Sequence, residues 1–243
     1  MELTGKTALV TGASKRIGRA IALALAKKGA HIVLHFSTSK DEAQKTAADI
    51  TALGVKCRII QADLSKSADI GKMVSELKKD SVKIDALVNS ASLYFKTPPD
   101  SADEKQWDTL MDVNLKAPYL LSLAIGREMV KGSGGKIVNI ADWSGFRPYK
   151  DFIAYCATKG GLITLTKSLA RDFAPKVSAN AVAPGPVLAP PDMGEEEKAA
   201  IAKTTALGKW GKPEDVANAV IFLVENDFVN GIVLVVDGGR SIV

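Results

Sequence analysis

Thr7-Ala8-Leu9-Val10-Thr11-Gly12-Ala13-Ser14-Lys15-Arg16-Ile17-Gly18 is the stretch of this chain that decides its fold. An apolar run, Thr7 to Val10, ends in a glycine turn, and a helical pattern from Ile17 to Lys28 follows at once. A glycine turn between a strand and a helix lets the backbone and the helix N-terminus approach a pyrophosphate. The stretch therefore predicts a βα unit that binds a dinucleotide.

The rest of the chain continues this alternation of short apolar runs and longer helical patterns. Several runs are continuously apolar, as expected for strands that helices cover on both faces. We predict strands at Thr7–Val10, Ile32–Leu34, Cys57–Ile60, Ala86–Val88, Ile137–Ile140, Ser178–Val182 and Ile232–Val236. We predict helices at Ile17–Lys28, Asp41–Leu53, Ala68–Lys79, Glu104–Val130, Ala154–Phe173 and Pro213–Val224. The alternation predicts one α/β domain, residues 1–243, with a doubly wound Rossmann-type sheet of about seven parallel strands flanked by helices.

Composition narrows the class of protein. The 243 residues, 47% of them hydrophobic, suit one well-cored domain, and the net charge of +5 is spread without a basic cluster, so no nucleic-acid partner is expected. Two cysteines, Cys57 and Cys156, make neither a disulfide framework nor a metal-ligand pattern, so no metal is expected. No signal-like segment or membrane-length apolar run is seen, which predicts a cytoplasmic protein without a membrane partner.

The segment after the second predicted strand bears on the choice of dinucleotide. It reads His35-Phe36-Ser37-Thr38-Ser39-Lys40, and no carboxylate comes before Asp41. NAD-binding proteins usually place an acidic residue there for the ribose hydroxyls, whereas hydroxyls and Lys40 suit a 2′-phosphate. We therefore expect NADPH (NADP+), although an ordinary polar loop with a helix cap at Ser39 fits the same residues.

A tyrosine and a lysine are candidates for proton chemistry. Tyr155 and Lys159 are four residues apart on a predicted helix, so their side chains project from one face. A free phenol has a pKa of about 10, and a neighbouring ammonium group would stabilise its phenolate. A surface pair would show the same spacing, so the spacing by itself leaves both readings open.

These motifs together resemble the short-chain dehydrogenase/reductase family over essentially the whole chain. Arg16 stands where the family's glycine loop usually has its middle glycine, and Asp142 stands thirteen residues before Tyr155, where the family usually has a serine. Pteridine reductases carry an aspartate at that position. Arg16, His35 and Asp142 make the chain most similar to the pteridine reductases, including the bacterial dihydromonapterin reductases.

The resemblance implies roles for individual residues. Asp142, Tyr155, Lys159 and Asn114 would be catalytic, Asn114 by holding a water that leads to the lysine; the alternative is a buried asparagine satisfied by backbone groups. Arg16, Tyr94, Asp142 and Tyr155 would contact substrate. The cofactor would be bound by Gly12, Ser14, Lys15, Arg16, Ile17, Gly18, His35, Phe36, Ser37, Thr38, Ser39, Asp63, Leu64, Asn89, Ser90, Ala91, Tyr155, Lys159, Pro184 and Gly185.

The function implied by the resemblance is NADPH-dependent reduction of a pterin or folate-like C=N bond. One alternative is a carbonyl reductase, for example of a 3-oxoacyl thioester, with Ser144 displaced into the polarising role. A second is a non-catalytic NADPH-binding regulator. The segment 187–209 is a candidate substrate lid or a solvated surface helix. By resemblance a homotetramer is expected, with the helices Glu104–Val130 and Ala154–Phe173 packing between subunits.

Overall fold

A parallel β-sheet forms the centre of the molecule. A computed structural model describes residues 1–189 and 193–243. Its seven strands are β1 (Thr7–Val10), β2 (His31–Phe36), β3 (Cys57–Gln61), β4 (Ala86–Asn89), β5 (Gly135–Ile140), β6 (Val177–Pro184) and β7 (Val233–Val236). They lie in the order β3-β2-β1-β4-β5-β6-β7, and every neighbouring pair is parallel. The predicted Rossmann-type sheet is confirmed.

The described part of the chain contains eight α-helices. They are α1 (Arg16–Lys27), α2 (Lys40–Ala52), α3 (Ser67–Lys79), α4 (Glu104–Met111), α5 (Ala117–Lys131), α6 (Ile153–Asp172), α7 (Glu195–Ala202) and α8 (Pro213–Glu225). The helix predicted at Glu104–Val130 is interrupted, because one π-helical turn, Asp112–Lys116, joins α4 to α5. Such turns often occur at functional sites, and this one carries Asn114.

Alternate residues of each strand face two separate cores. In β1, Ala8 and Val10 pack under α1, α2 and α8, while Leu9 packs under α3, α5 and the end of α6. All three side chains are fully buried. Burial on both faces explains why several of the strands, such as β1, are continuously apolar in sequence.

The strand order reverses at β1, which lies between β2 and β4. The connections that leave β1 and β4 therefore run to opposite sides of the sheet and open a crevice at the carboxyl ends of these strands. Thr11 ties the two loops together, because its Oγ1 accepts hydrogen bonds from the backbone N–H groups of Ser90 (2.9 Å) and Ala91 (3.0 Å). The fold thus fixes both walls of the crevice.

The segment 187–209 contains a short helix that was predicted only as the alternative to a lid. None of the residues of α7 is buried, so it is a solvated surface helix. Met193, Glu197 and Ile201 nevertheless line the crevice. Residues 190–192 of the predicted lid lie outside the described residues. Within the described ranges, no helix is both long enough and apolar enough to cross a membrane.

Candidate active site

The crevice is a cleft of about 1050 Å³ at the carboxyl ends of the strands. Ligand pockets for small molecules span roughly 300–1000 Å³, so this cleft has room for a large ligand. Loops that follow β1 to β6 all contribute to it, and so do α7 and Arg240 near the C-terminus. Among the described residues, no group of three or more His, Cys, Asp or Glu side chains is placed to hold a metal ion.

The glycine loop presents free backbone donors to the cleft. Lys15 precedes α1 without capping it by a side-chain hydrogen bond, and the first turn of α1 carries no acidic residue. Uncapped N–H groups and the positive end of the helix dipole suit a phosphate. Gly12 has a φ of +64°, and a Cβ there would lie 2.9 Å from Ala91 Cα; a Cβ on Gly18 would overlap the carbonyl oxygen of Gly12. Both glycines are therefore required by close approach of the backbone.

Arg16 adopts a conformation that favours glycine. Its φ is +55°, which costs a residue with a side chain about 1–2 kcal/mol. This explains why a glycine usually stands at this point of the loop. The side chain is exposed at the cleft, where its Nη2 donates to the backbone oxygen of Leu188 at 3.4 Å. Strain retained at a cleft favours a functional role for this arginine.

His35 lies beneath the glycine loop. Its Nδ1 accepts from the Gly12 N–H (3.2 Å), and its Nε2 lies 3.1 Å from the Ala62 oxygen, which can only accept a hydrogen bond. The ring is therefore neutral, with its proton on Nε2. Burial lowers the His35 pKa to about 4, against the smaller opposing effect of the bond to Ala62. His35 links the loops that follow β1 and β3 and belongs to the cleft lining.

The loop after β2 brings hydroxyl groups to the far end of the cleft. Ser37, Thr38 and Ser39 line it, but Lys40 does not, so the lysine proposed for a 2′-phosphate lies outside the cleft lining. Lys15 and Arg16 line the cleft and supply positive charge instead. Ser39 precedes α2 but makes no side-chain cap, which removes the argument for a purely capping role.

One predicted cofactor residue faces away from the cleft. The side chain of Asn89 is buried, and its Nδ2 donates to Asn139 Oδ1 (2.8 Å) and Ser122 Oγ (3.2 Å). Asn89 is absent from the cleft lining, so its predicted contact with the cofactor is wrong at the level of the side chain. The reason is strand alternation, since a residue at the end of β4 points into the layer between sheet and helix. The other predicted cofactor residues all line the cleft.

The catalytic candidates meet at the end of β5 and the start of α6. The Tyr155 hydroxyl donates to Asp142 Oδ2 at 3.1 Å, and the Ser144 N–H donates to Asp142 Oδ1 at 2.7 Å. Lys159 Nζ donates to the Ile140 carbonyl at 3.0 Å and lies 5.5 Å from the centroid of the Tyr155 ring. A carboxylate, a phenol and an ammonium group therefore lie within one small region of the cleft.

The electrostatics of Tyr155 depend on its burial and on its charged neighbours. Burial, and then the negative charge of Asp142, raise the Tyr155 pKa well above its ordinary value. Burial also lowers the Lys159 pKa to about 8, although Asp142 opposes that shift. Asp142 is the hydrogen-bonded neighbour of the phenol in this arrangement, and the effect of Lys159 on Tyr155 stays a prediction. Tyr155 is therefore protonated at neutral pH and able to donate.

Asn114 forms hydrogen bonds with the loop that follows β4. Its Nδ2 donates to the Leu93 oxygen (2.9 Å), and its Oδ1 accepts from the Leu93 N–H (2.8 Å) and from Ser92 Oγ (3.2 Å). Asn114 does not line the cleft. These contacts fit the alternative of a buried asparagine satisfied by backbone groups, and the role of Asn114 in holding a water that leads to Lys159 stays a prediction.

Ser144 is displaced from the cleft. Its side chain is fully buried, and its Oγ has no hydrogen-bond partner among the described residues. It is not part of the cleft lining, so it cannot polarise a bound carbonyl from this position. That role for Ser144 is therefore contradicted by the geometry.

An aromatic cluster that sequence reasoning largely missed surrounds the carboxylate. Tyr94 stacks on Phe152 with ring centroids 4.6 Å apart and meets Tyr155 edge-on at 4.9 Å. Trp143 Nε1 donates to the Tyr149 hydroxyl, and these two rings also pack edge-on. Aromatic residues at 143, 149, 152 and 155 are dense for this chain, which is the signal that could have indicated the cluster.

The chain matches a known family along most of its length. A family model described as short chain dehydrogenase matches residues 6–200. The chain belongs to the short-chain dehydrogenase family. An NAD-dependent glycerol dehydrogenase of Listeria innocua is 36% identical over 99% of this chain and 95% of the relative. A 3-oxoacyl-[acyl-carrier-protein] reductase of Staphylococcus epidermidis is 34% identical over 96% of this chain and 98% of the relative.

Solved structures of other members of the family agree with the fold of this short-chain dehydrogenase. A blue fluorescent protein from a metagenomic library, crystallised in complex with NADPH, has a TM-score of 0.92 and 32% identity, with 99% of both chains covered. The promiscuous reductase LugOII, which catalyses keto-reduction at C1 during lugdunomycin biosynthesis, has a TM-score of 0.92 and 32% identity, with 100% of both chains covered. This chain is thus an oxidoreductase of the family.

Proposed function

We propose that this short-chain dehydrogenase is an NADPH-dependent pteridine reductase that reduces a C=N bond of a dihydropterin or dihydrofolate. The observation that carries the proposal is the carboxylate of Asp142, which occupies the position of the family's usual serine and accepts a hydrogen bond from Tyr155. A carboxylate is a hydrogen-bond acceptor, and the amino and ring N–H groups of a pterin are donors. A carbonyl substrate develops negative charge on oxygen, which a neighbouring carboxylate would oppose.

The cleft fits a dinucleotide. The uncapped N-terminus of α1, the close approach at Gly12 and Gly18, and the positive charges of Lys15 and Arg16 all suit a pyrophosphate. When bound, the nicotinamide cofactor supplies the hydride. Asp63, Leu64, Ser90 and Ala91 would hold the adenine side and the middle of the cofactor, and Pro184 and Gly185 would flank its nicotinamide end.

A preference for NADPH is supported by the residue types at the ribose end. Ser37, Thr38 and Ser39 offer hydroxyl groups there, and no carboxylate stands among them to repel a 2′-phosphate. Arg16 and Lys15 add positive charge in the same cleft. The structural relative crystallised with NADPH is consistent with this preference.

Tyr155 would donate the proton that completes the reduction. Its raised pKa keeps the phenol protonated at neutral pH, so the hydroxyl is a donor when substrate arrives. That single proton is donated to Asp142 Oδ2 at 3.1 Å in the described structure, so the hydroxyl would turn from Asp142 to the substrate nitrogen for the transfer, while Asp142 holds the donor edge of the pterin with its lone pairs. Lys159 faces the tyrosine ring from 5.5 Å, and its charge would stabilise the phenolate left after proton transfer.

A flat ring system suits the walls of the site. Tyr94 and Phe152 form a stacked pair beside Tyr155, and Tyr94 is about half exposed toward the cleft. Aromatic faces favour stacking or edge contacts with a planar heterocycle. Arg16 lies at the junction between the glycine loop and the loop after β6, where it would contact cofactor phosphate or substrate.

A second candidate function is carbonyl reduction. It is favoured by the relatives, which include a 3-oxoacyl-[acyl-carrier-protein] reductase at 34% identity. The buried Ser144 offers no polarising hydroxyl, so Tyr155 alone would have to polarise the carbonyl.

The expected homotetramer stays a prediction, supported by large apolar side chains such as Trp107 and Tyr119 that are exposed on α4 and α5.

The test is the loss of NADPH absorbance with three substrates in parallel: a 7,8-dihydropterin, dihydrofolate and an acetoacetyl thioester. Turnover of the dihydropterin or dihydrofolate, with little turnover of the thioester, is the expected result. Turnover of the thioester alone would replace the pteridine assignment with carbonyl reduction. NADPH binding without turnover of any substrate would favour a non-catalytic regulator.

A further inference from the structure

A C-terminal turn holds one arginine at the wall of the cleft. Asp237 anchors this turn, because its Oδ1 accepts from the Gly239 N–H (2.9 Å) and its Oδ2 from the Ser241 N–H (2.7 Å). Arg147 Nη1 donates to the Val243 oxygen at 2.7 Å and so fixes the last residue. Arg240 lies in the middle of this hydrogen-bonded turn and lines the cleft.

The Arg240 guanidinium lies close to two aromatic rings that stand edge-on to each other. Its centre is 4.6 Å from the Trp143 ring centroid and 5.6 Å from that of Tyr149. Stacking uses the face of a guanidinium and leaves the N–H groups on its edge available to a ligand. Among residues 1–189 and 193–243, no carboxylate oxygen lies within 4.0 Å of Arg240, and no hydrogen bond from its side chain is found.

Trp143 adjoins two residues of opposite charge, both of which line the cleft. Asp142 precedes it and accepts the Tyr155 hydroxyl, whereas Arg240 lies over its ring. A substrate that places a donor edge on Asp142 would have its other parts in the same cleft, which Tyr149 and Arg240 also line. Glu197 also lines the cleft, but it is exposed on α7, so water screens it more than it screens the partly buried Arg240.

We propose that Arg240 determines substrate specificity by binding a carboxylate on the tail of the reduced ring, so that the enzyme prefers folate-type substrates to pteridines with a neutral side chain. The inference rests on the proposed pteridine reduction. A planar fork of N–H donors matches a carboxylate in two hydrogen bonds, and the two aromatic rings hold the fork in place. Neutral hydroxyalkyl tails would gain no such charge-assisted contact.

The experiment compares Arg240→Gln with the matched control Arg171→Gln. Arg171 is exposed in the last turn of α6, sixteen residues or roughly 24 Å along the helix from Tyr155. For Arg240→Gln we expect kcat/KM to fall about 10- to 100-fold with dihydrofolate, mainly through KM. With dihydrobiopterin it should change less than about threefold, and Arg171→Gln should match the wild type with both substrates.

A binding measurement separates this inference from the proposed reaction. Calorimetric titration with folate and with biopterin, each in the presence of NADP+, gives the affinities without turnover. If wild type reduces neither dihydropteridine but Arg240→Gln still weakens folate binding selectively, pteridine reduction fails and the role of Arg240 stands. Equal effects on both ligands, no effect on either, or no folate binding by wild type would overturn the role of Arg240. Arg240→Lys keeps the positive charge, so its folate affinity should lie between that of the wild type and that of Arg240→Gln. This variant checks that a loss of affinity follows the charge and not misfolding.

Discussion

Replacing Asp142 with asparagine removes one negative charge with little change in shape. The substitution should leave β5 intact, because Asp142 lies beyond the end of that strand, and the amide oxygen can still accept from the Ser144 N–H. The variant lacks the charged acceptor that faces Tyr155 and, in our proposal, the donor edge of the pterin. Hydrogen bonds to charged groups contribute about 1.5–3 kcal/mol, and each 1.36 kcal/mol is about tenfold in rate. We expect kcat/KM for a dihydropterin to fall about 10- to 150-fold.

The companion variant Asp142→Ser restores the residue that the family usually has. A carboxylate about 4 Å from a developing oxyanion opposes it by about 4 kcal/mol at an effective dielectric constant of about 20. Removing the charge and adding a hydroxyl donor should therefore raise carbonyl reduction by up to about a thousandfold. The serine variant should gain activity on an acetoacetyl thioester while it loses activity on the pterin.

The assay follows NADPH absorbance with both substrates and NADPH affinity by fluorescence titration. Both variants should bind NADPH within about twofold of the wild type, because Asp142 contacts Tyr155 and Ser144 and not the glycine loop. Full pterin turnover in the asparagine variant would refute the role of the carboxylate. A loss of NADPH affinity that matches the loss of turnover would refute it too, since Asp142 would then serve the cofactor.

Three other perturbations test separate parts of the site. Tyr155→Phe removes the proton donor and should cut turnover at least about 100-fold with NADPH affinity retained; substantial turnover in this variant would exclude Tyr155 as the donor. Gly18→Ala places a methyl group against the Gly12 carbonyl and should weaken NADPH binding at least about tenfold in a protein that still folds by circular dichroism; unchanged affinity would contradict the described loop. His35 has a folded pKa of about 4 against 6.5 in the unfolded chain, so its contribution to stability is present above pH 6.5 and lost as the pH falls through 4. As the pH falls from 6.5 to 4, the free energy of unfolding measured by urea denaturation should fall further for the wild type than for His35→Asn, by a quantity on the order of 3 kcal/mol. Equal decreases would show that His35 is not the buried neutral group described.

Features that depend on neighbours along the chain were predictable from the sequence. Short, largely apolar runs identified all seven strands to within a few residues at their ends, and several of these runs are continuously apolar because helices cover both faces of the sheet. The glycine loop was equally clear, since close backbone approach tolerates no side chain at Gly12 or Gly18. Tyr155 and Lys159 share a helix face by their spacing alone.

Side-chain direction at the ends of elements was less predictable. Asn89 lies next to residues that line the cleft, yet it points into the layer beneath α5, because the alternation of β4 continues to its last residue. Ser144 is two residues from Asp142 and is buried for a similar reason, since a short 3₁₀ turn rotates it inward. A loop sequence shows its polar groups but does not say which of them face a ligand.

The sequence by itself determined the class of this protein: a parallel α/β sheet, a dinucleotide loop and a Tyr–Lys pair, all of which follow from local periodicity or backbone sterics. Tertiary structure alone decided the chemistry around them. The fold places Asp142 within hydrogen-bond distance of the Tyr155 hydroxyl, and burial together with Asp142 raises the pKa of that phenol. It also places Arg240 beside Trp143, which is distant in sequence. The physical reason is that contact, burial and charge separation depend on distance in space, which spacing along the chain does not specify.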